Sequence, residues 1–210
     1  MDRIKNWIKE QYDIMSRFFH REFAPSLRIT AIAFGAIVVL TFVVSLFARD
    51  LAASIVDRFA AMVQDLGIMD EDGGFSALLI FRNNLQATAV SILYGFIPFL
   101  YLPALSLGTN AMLLGVMGGY YVNNGHSLLV YLAGILPHGI FELPALIISL
   151  ALGFYLCEVV VTYVRKNTKG LVGTALKNIA RVFLFWVVPL LMVAAATEAY
   201  ITPLILHLFV

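Results

Sequence analysis

The sequence predicts an all-α, polytopic membrane helix bundle, and three observations carry that expectation. The chain is 61% hydrophobic and only 13% charged over 210 residues, about half the charged fraction of a soluble domain. Between residues 85 and 157 the one formally charged side chain is Glu142. Apolar runs of about twenty residues recur, the length at which a helix crosses the hydrocarbon core. A net charge of +1 offers no basic field for nucleic acid. The single cysteine, Cys157, excludes an intrachain disulfide, zinc ribbons and thiol redox motifs.

The first 26 residues are too charged for a cleavable signal peptide and read as a cytoplasmic amphipathic helix at the membrane interface. Ile4, Trp7, Ile8, Met15, Phe18, Phe19 and Phe23 recur at helical spacing, leaving Lys5, Lys9, Arg17 and Arg21 for water or headgroups. The same pattern also fits a helix packed on the rest of the protein. Pro25 and Ser26 are expected to end it. Residues 27–210 form the transmembrane domain. Its first span covers residues 27–48, with Ala31 and Gly35 as a small-residue patch for close packing. An external acidic segment, 49–75, follows. It reads as a short helix with the stripe Leu51, Ile55, Phe59, Met62 and Leu66, ending at Gly67, then a turn through Asp70, Glu71, Asp72, Gly73 and Gly74.

The second span runs from about 76 to 101 and opens on Arg82, Asn83 and Asn84. Pro103 marks a turn before the third span, 105–122, in which Ala111, Gly115 and Gly119 share a helix-packing face. Asn123, Asn124 and Gly125 supply turn chemistry at its end. The apolar block 127–164 is too long for one straight crossing and contains Pro137, His138 and Gly139. It is expected to divide into a re-entrant or tilted half-helix over 128–136 and a full span over 140–163.

Orientation follows from the basic residues. The N-terminal segment holds six Lys/Arg up to Arg28, and residues 165–181 carry Arg165, Lys166, Lys169, Lys177 and Arg181. The positive-inside rule places both in the cytoplasm, with 165–181 as a basic loop. A last helix over 182–207 then leaves the C-terminus external, giving about five spans in all.

Ionisable groups at membrane depth cost on the order of 3 kcal/mol and turn toward a partner or a cavity. Glu142, Glu158 and Glu198 are the cases here. Glu158 is close enough to Arg165 to be interfacial. Glu142 lies four residues after His138, so the two share a helix face. They can hold a proton, bind a cation or anchor a buried network with Arg82; the bland alternative is a helix cap and a structural ion pair. His138 and Glu142 alone make an incomplete metal set, and His20, His126 and His207 lack ligand spacing. The candidate intramembrane polar site is therefore His138, Glu142, Arg82, Asn83, Asn84, Asn124 and Glu198, although turn and capping roles would equally explain the asparagines. No nucleophile elbow, phosphate loop or metalloprotease helix is present; no enzyme, metal or cofactor is expected.

The stretch from Leu136 through Pro137, His138, Gly139, Ile140, Phe141, Glu142, Leu143 and Pro144 to Ala145 resembles the signature of the stage II sporulation protein M family. Phe81 to Asn84, the Asn123-Asn124-Gly125 turn, and Glu198 with Thr202-Pro203 are similar to further family elements, so the resemblance covers most of the chain from Phe81. It implies a multi-pass membrane scaffold, since the family's named member anchors a peptidoglycan-degrading complex during engulfment of the forespore. The expected partners are membrane lipid, other membrane or cell-envelope proteins, and a second copy in a homodimer. The competing reading is a small dimeric transporter, channel or lipid-handling protein that uses the His/Glu/Arg/Asn cluster.

Overall fold

The computed structural model describes residues 2–65, 76–168 and 170–209, without the side chains at 2, 4 and 63–65. The expected acidic turn, with Leu66 and Gly67 before it, and the side chain of Ile4 lie outside the described residues. Every described element is helical: α1 Asp2–Phe18, α2 Ala24–Phe47, α3 Arg49–Asp65, α4 Ala77–Leu93, α5 Leu102–Asn123, α6 Leu128–Lys166, α7 Leu171–Val182, α8 Val188–Ala196 and α9 Thr202–Leu206. Among the described residues, four continuous runs are long and apolar enough to cross a membrane, Lys5–Phe47, Leu102–Asn123, Leu128–Lys166 and Leu171–Leu206. The expected second span is a 17-residue α4, about 25 Å long, continued by 3₁₀ turns at Tyr94–Phe96 and Pro98–Leu100.

The prolines break the chain less than their chemistry suggests. A proline has no N–H, and its ring collides with the carbonyl four residues back. Ahead of Pro25, Pro189 and Pro203 the helix widens into a π turn, in which Ala24, Val188 and Thr202 donate their N–H to the carbonyls of Phe19, Phe183 and Thr197. Bonding five residues back instead of four moves the offending carbonyl aside and keeps the helix continuous. The break expected at Pro25 and Ser26 is therefore absent, and α1 flows into α2.

Pro137 and Pro144 are likewise carried inside α6, a single helix of 39 residues about 58 Å long. The half-helix expected over 128–136 is its first nine residues, not a separate segment. Of the two, Pro137 is half-buried between neighbouring helices, whereas Pro144 and Ile140, whose carbonyl it frees, are exposed on the bundle surface. Helix α6 packs against α2, α4, α5, α7, α8 and α9. Its residues 148 to 153 are all buried, as expected of a helix apolar on every side.

The basic segment 165–181 is mostly helix: α6 ends at Lys166 and α7 starts at Leu171. Arg181 on α7 donates to Gln11 on α1 at 2.7 Å and to Asn178 at 2.9 Å. The two basic segments therefore meet at one end of the bundle. Met15, Phe18 and Phe23 are buried there, while Trp7, Ile8 and Tyr12 remain exposed. The N-terminal helix thus both packs, through its C-terminal half, and presents an amphipathic surface.

Helices α2 and α5 form the most extensive pair. Ala111 is fully buried, and a Cβ on Gly115 would fall on the Val38 carbonyl and the Thr41 hydroxyl, while one on Gly119 would strike Ser45. Asn123 Nδ2 bonds the Ser45 carbonyl at 2.7 Å, closing the far end of this pair. The small patch expected at Ala31 and Gly35 is instead exposed, with nothing within 4 Å of a Cβ placed on Gly35. Periodicity marks a small stripe but not the side of the helix that its partner occupies. Gly115→Leu is accordingly expected to cost about 1–3 kcal/mol by overpacking and Gly35→Leu no more than about 0.5 kcal/mol, read from unfolding of the purified protein in detergent.

Candidate functional site

A cavity of about 410 Å³ opens between α3, α4, α5, α6 and the last helical run. It lies in the half of the bundle where α4 and α6 begin and α5 ends. Phe59 and Met62 of α3 and Leu114 and Met117 of α5 form apolar wall. Asn83 and Asn84 enter from α4, His138 and Glu142 from α6, and Glu198 from the π turn Thr197–Ile201. Gly139 leaves the wall open beside His138.

Helix spacing brings His138 and Glu142 onto one face, with His138 Nε2 4.0 Å from Glu142 Oε2. Glu198 completes the cluster: one ligand atom from each of the three residues lies within 4.8 Å of the others. Both the imidazole and the Glu142 carboxyl are largely shielded, at 15% and 30% side-chain exposure.

Thr202 orients the ring. Its hydroxyl donates to the Thr197 carbonyl at 3.2 Å and lies 3.2 Å from His138 Nδ1. A hydroxyl has one proton, so while Thr202 donates to Thr197 it can only accept from the imidazole, the arrangement that goes with the ring proton on Nδ1. In the neutral ring, Nε2 then presents a lone pair toward Glu142.

The structure gathers five of the seven residues expected at the site: His138, Glu142, Asn83, Asn84 and Glu198. It does not bring in Arg82, which is exposed on α4 and absent from the cavity wall. The expected Arg82 to Glu142 pairing is thus replaced by His138 to Glu142. The reason is angular, since Arg82 is one residue from Asn83 and so about 100° around the helix. Asn124 is a turn residue that donates to the Tyr120 carbonyl at 2.9 Å. Thr202 and the α3 wall were not among the expected site residues. A hydroxyl directly before a proline on the same helix as a membrane-depth acid was the signal for Thr202; nothing local announces that α3 covers the cavity.

Among the described residues, no Lys or Arg lines the cavity. Two carboxyls beside an imidazole therefore find their charge balance in protons or in a cation from outside the cluster. Cys157 lies 15 residues beyond Glu142 on α6, outside this wall.

The architecture and the cavity define a multi-pass, all-helical membrane protein with an acid- and imidazole-bearing chamber between its helices. The chain belongs to the stage II sporulation protein M family, whose model matches residues 26–203. That match starts after the N-terminal helix and includes every residue of the cluster. The chain is also similar to an uncharacterized protein of Methanocaldococcus jannaschii, 35% identical over 125 residues, covering 59% of this chain and 69% of the relative. No solved structure matches.

Thr202→Val keeps the shape but removes the hydroxyl that His138 and Thr197 share, and is expected to cost about 1–3 kcal/mol. Arg82→Gln should change stability by less than about 0.5 kcal/mol. Parallel chemical unfolding curves in detergent separate the two.

Proposed function

We propose that the protein binds a small cation in this chamber and passes it across the membrane, working as a homodimer with a cytoplasmic N-terminus and an external C-terminus. The observation that carries the reading is the chamber itself, where Glu142, Glu198 and His138 converge with no basic side chain in the wall. Such groups are expensive at membrane depth and characteristically line ion or proton pathways.

A second cavity, of about 600 Å³, is lined by Glu22, Ser26, Thr30 and Glu158. Glu158 is 16 residues along α6 from Glu142, about 24 Å. The wholly buried stretch 148–153 lies between the two. Two acid-bearing cavities on either side of a packed septum fit a closed state of a pathway. A protomer of this size is small for alternating access, which is why the proposal includes a dimer. It includes no enzymatic step.

The scaffold reading draws its support from the family, whose description names a sporulation protein. One surface it would use, Ala111, Gly115 and Gly119, is already packed against α2. The exposed edge of α1, with Trp7 and Tyr12, and the external acidic segment 49–75 remain for a membrane or envelope partner.

Proteoliposomes carrying the protein should show cation flux above that of empty vesicles, reduced at least tenfold by Glu142→Gln or Glu198→Gln. Flux at the level of empty vesicles, together with stable capture of envelope proteins through α1, would establish the scaffold reading in its place.

A further inference from the structure

Resting on the reading of the chamber as a binding site, we infer that its occupant is a divalent first-row transition cation, held by His138 Nε2, Glu142 and Glu198. Four observations converge on that ligand. One ligand atom from each of the three residues already lies within 4.8 Å of the others, and His138 Nε2 is 4.0 Å from Glu142 Oε2. A tetrahedral ion with bonds of about 2.0–2.1 Å spaces its ligands about 3.3 Å apart. The side chains therefore close by only about 1 to 1.5 Å around the ion, within the reach of two flexible glutamates.

The tautomer is the second observation. A metal-binding imidazole gives its other N–H to a fixed acceptor. Here Nδ1 faces Thr202 Oγ1 at 3.2 Å, and Thr202 is itself committed to the Thr197 carbonyl. In that tautomer Nε2 keeps its lone pair, on the side of Glu142.

Charge is the third. Two carboxylates and a neutral imidazole sum to −2, which a dication cancels, and no Lys or Arg in the wall competes for that role. The fourth is donor chemistry. An imidazole favours zinc or iron over magnesium and calcium, while the two carboxylates also suit manganese. Asn83 and Asn84 line the same chamber, and a side-chain amide carries an oxygen acceptor. The space also admits water to complete the coordination shell.

The sequence reading stops at two ligands because His138 and Glu142 are the only pair with local spacing. Glu198 is 56 residues beyond Glu142 and reaches the site through the π turn ahead of Pro203. The same proline-driven turn aligns the Thr202 hydroxyl beneath His138. One backbone device therefore supplies both the third ligand and the group that orients the first.

The test uses full-length protein in nanodiscs, with any affinity tag removed and the protein stripped by chelator. Equilibrium dialysis with zinc or manganese alone should give one ion per chain, with magnesium and calcium bound at least tenfold more weakly. His138→Ala and Glu198→Gln should each weaken binding at least tenfold, Thr202→Val by about 10–100-fold, and Arg82→Gln not at all. X-ray absorption of the zinc-loaded wild type should show one imidazole among oxygen ligands, a readout that does not depend on any variant folding. Absence of saturable binding, equal affinity in wild type and Glu198→Gln, or a shell with sulfur or several imidazoles would overturn the inference. Flux of a monovalent cation without retained zinc or manganese would sink the metal site and leave the pathway standing. Bound metal with no flux of any cation would do the reverse.

Discussion

In hydrocarbon a backbone has no water to bond, so each of the seven prolines in this chain raises the question of where the freed carbonyl goes. Three are answered by π turns, at Phe19–Phe23, Phe183–Val187 and Thr197–Ile201. Pro98 and Pro103 fall in first turns, where the missing N–H is not needed. The remaining two lie within α6, Pro137 half-buried and Pro144 exposed on its surface. Most of the architecture depends on this accommodation. It lets α1 run into α2, allows α6 to remain one helix through the center of the bundle, and phases the last helical run so that Glu198 and Thr202 face α6.

The electrostatics of the chamber follow from that geometry. A carboxyl on α6 and another on the last helical run approach one imidazole, while Arg82, the counter-charge expected from the sequence, is exposed on α4. The apolar wall of Phe59, Leu114 and Met117 keeps the local dielectric low and makes any bound charge interact strongly. The arrangement stores no internal counterion, and this distinguishes it from a buried salt-bridge network whose purpose is packing.

Much of this was legible from local pattern. Hydropathy marked α2, α5, α6 and the final helix, because lipid exposure demands long apolar runs. The four-residue step placed His138 beside Glu142, and the spacing of Ala111, Gly115 and Gly119 announced a close helix contact. Other features were misread where one residue type serves two outcomes. Pro25 and Pro137 look like stops, yet a π turn or flanking helices can absorb them. Arg82 is the natural partner for Glu142 by charge, but its angular position on α4 denies the pairing. Asn124 carries the same amide as Asn83 and Asn84 and ends as a turn residue.

The amino-acid sequence by itself determined that this is a helical membrane protein of the sporulation protein M family, where its apolar helices run, and which one-turn pair anchors its polar site. Those properties are written in composition and in periods of three to four residues. Tertiary structure alone decided that Glu198 and Thr202 join His138, that Arg82 stays outside, and that the small face of α5 is covered by α2. Each of these depends on rotation of one helix about its axis relative to another. That angle is set by packing across dozens of intervening residues and leaves no trace in local spacing.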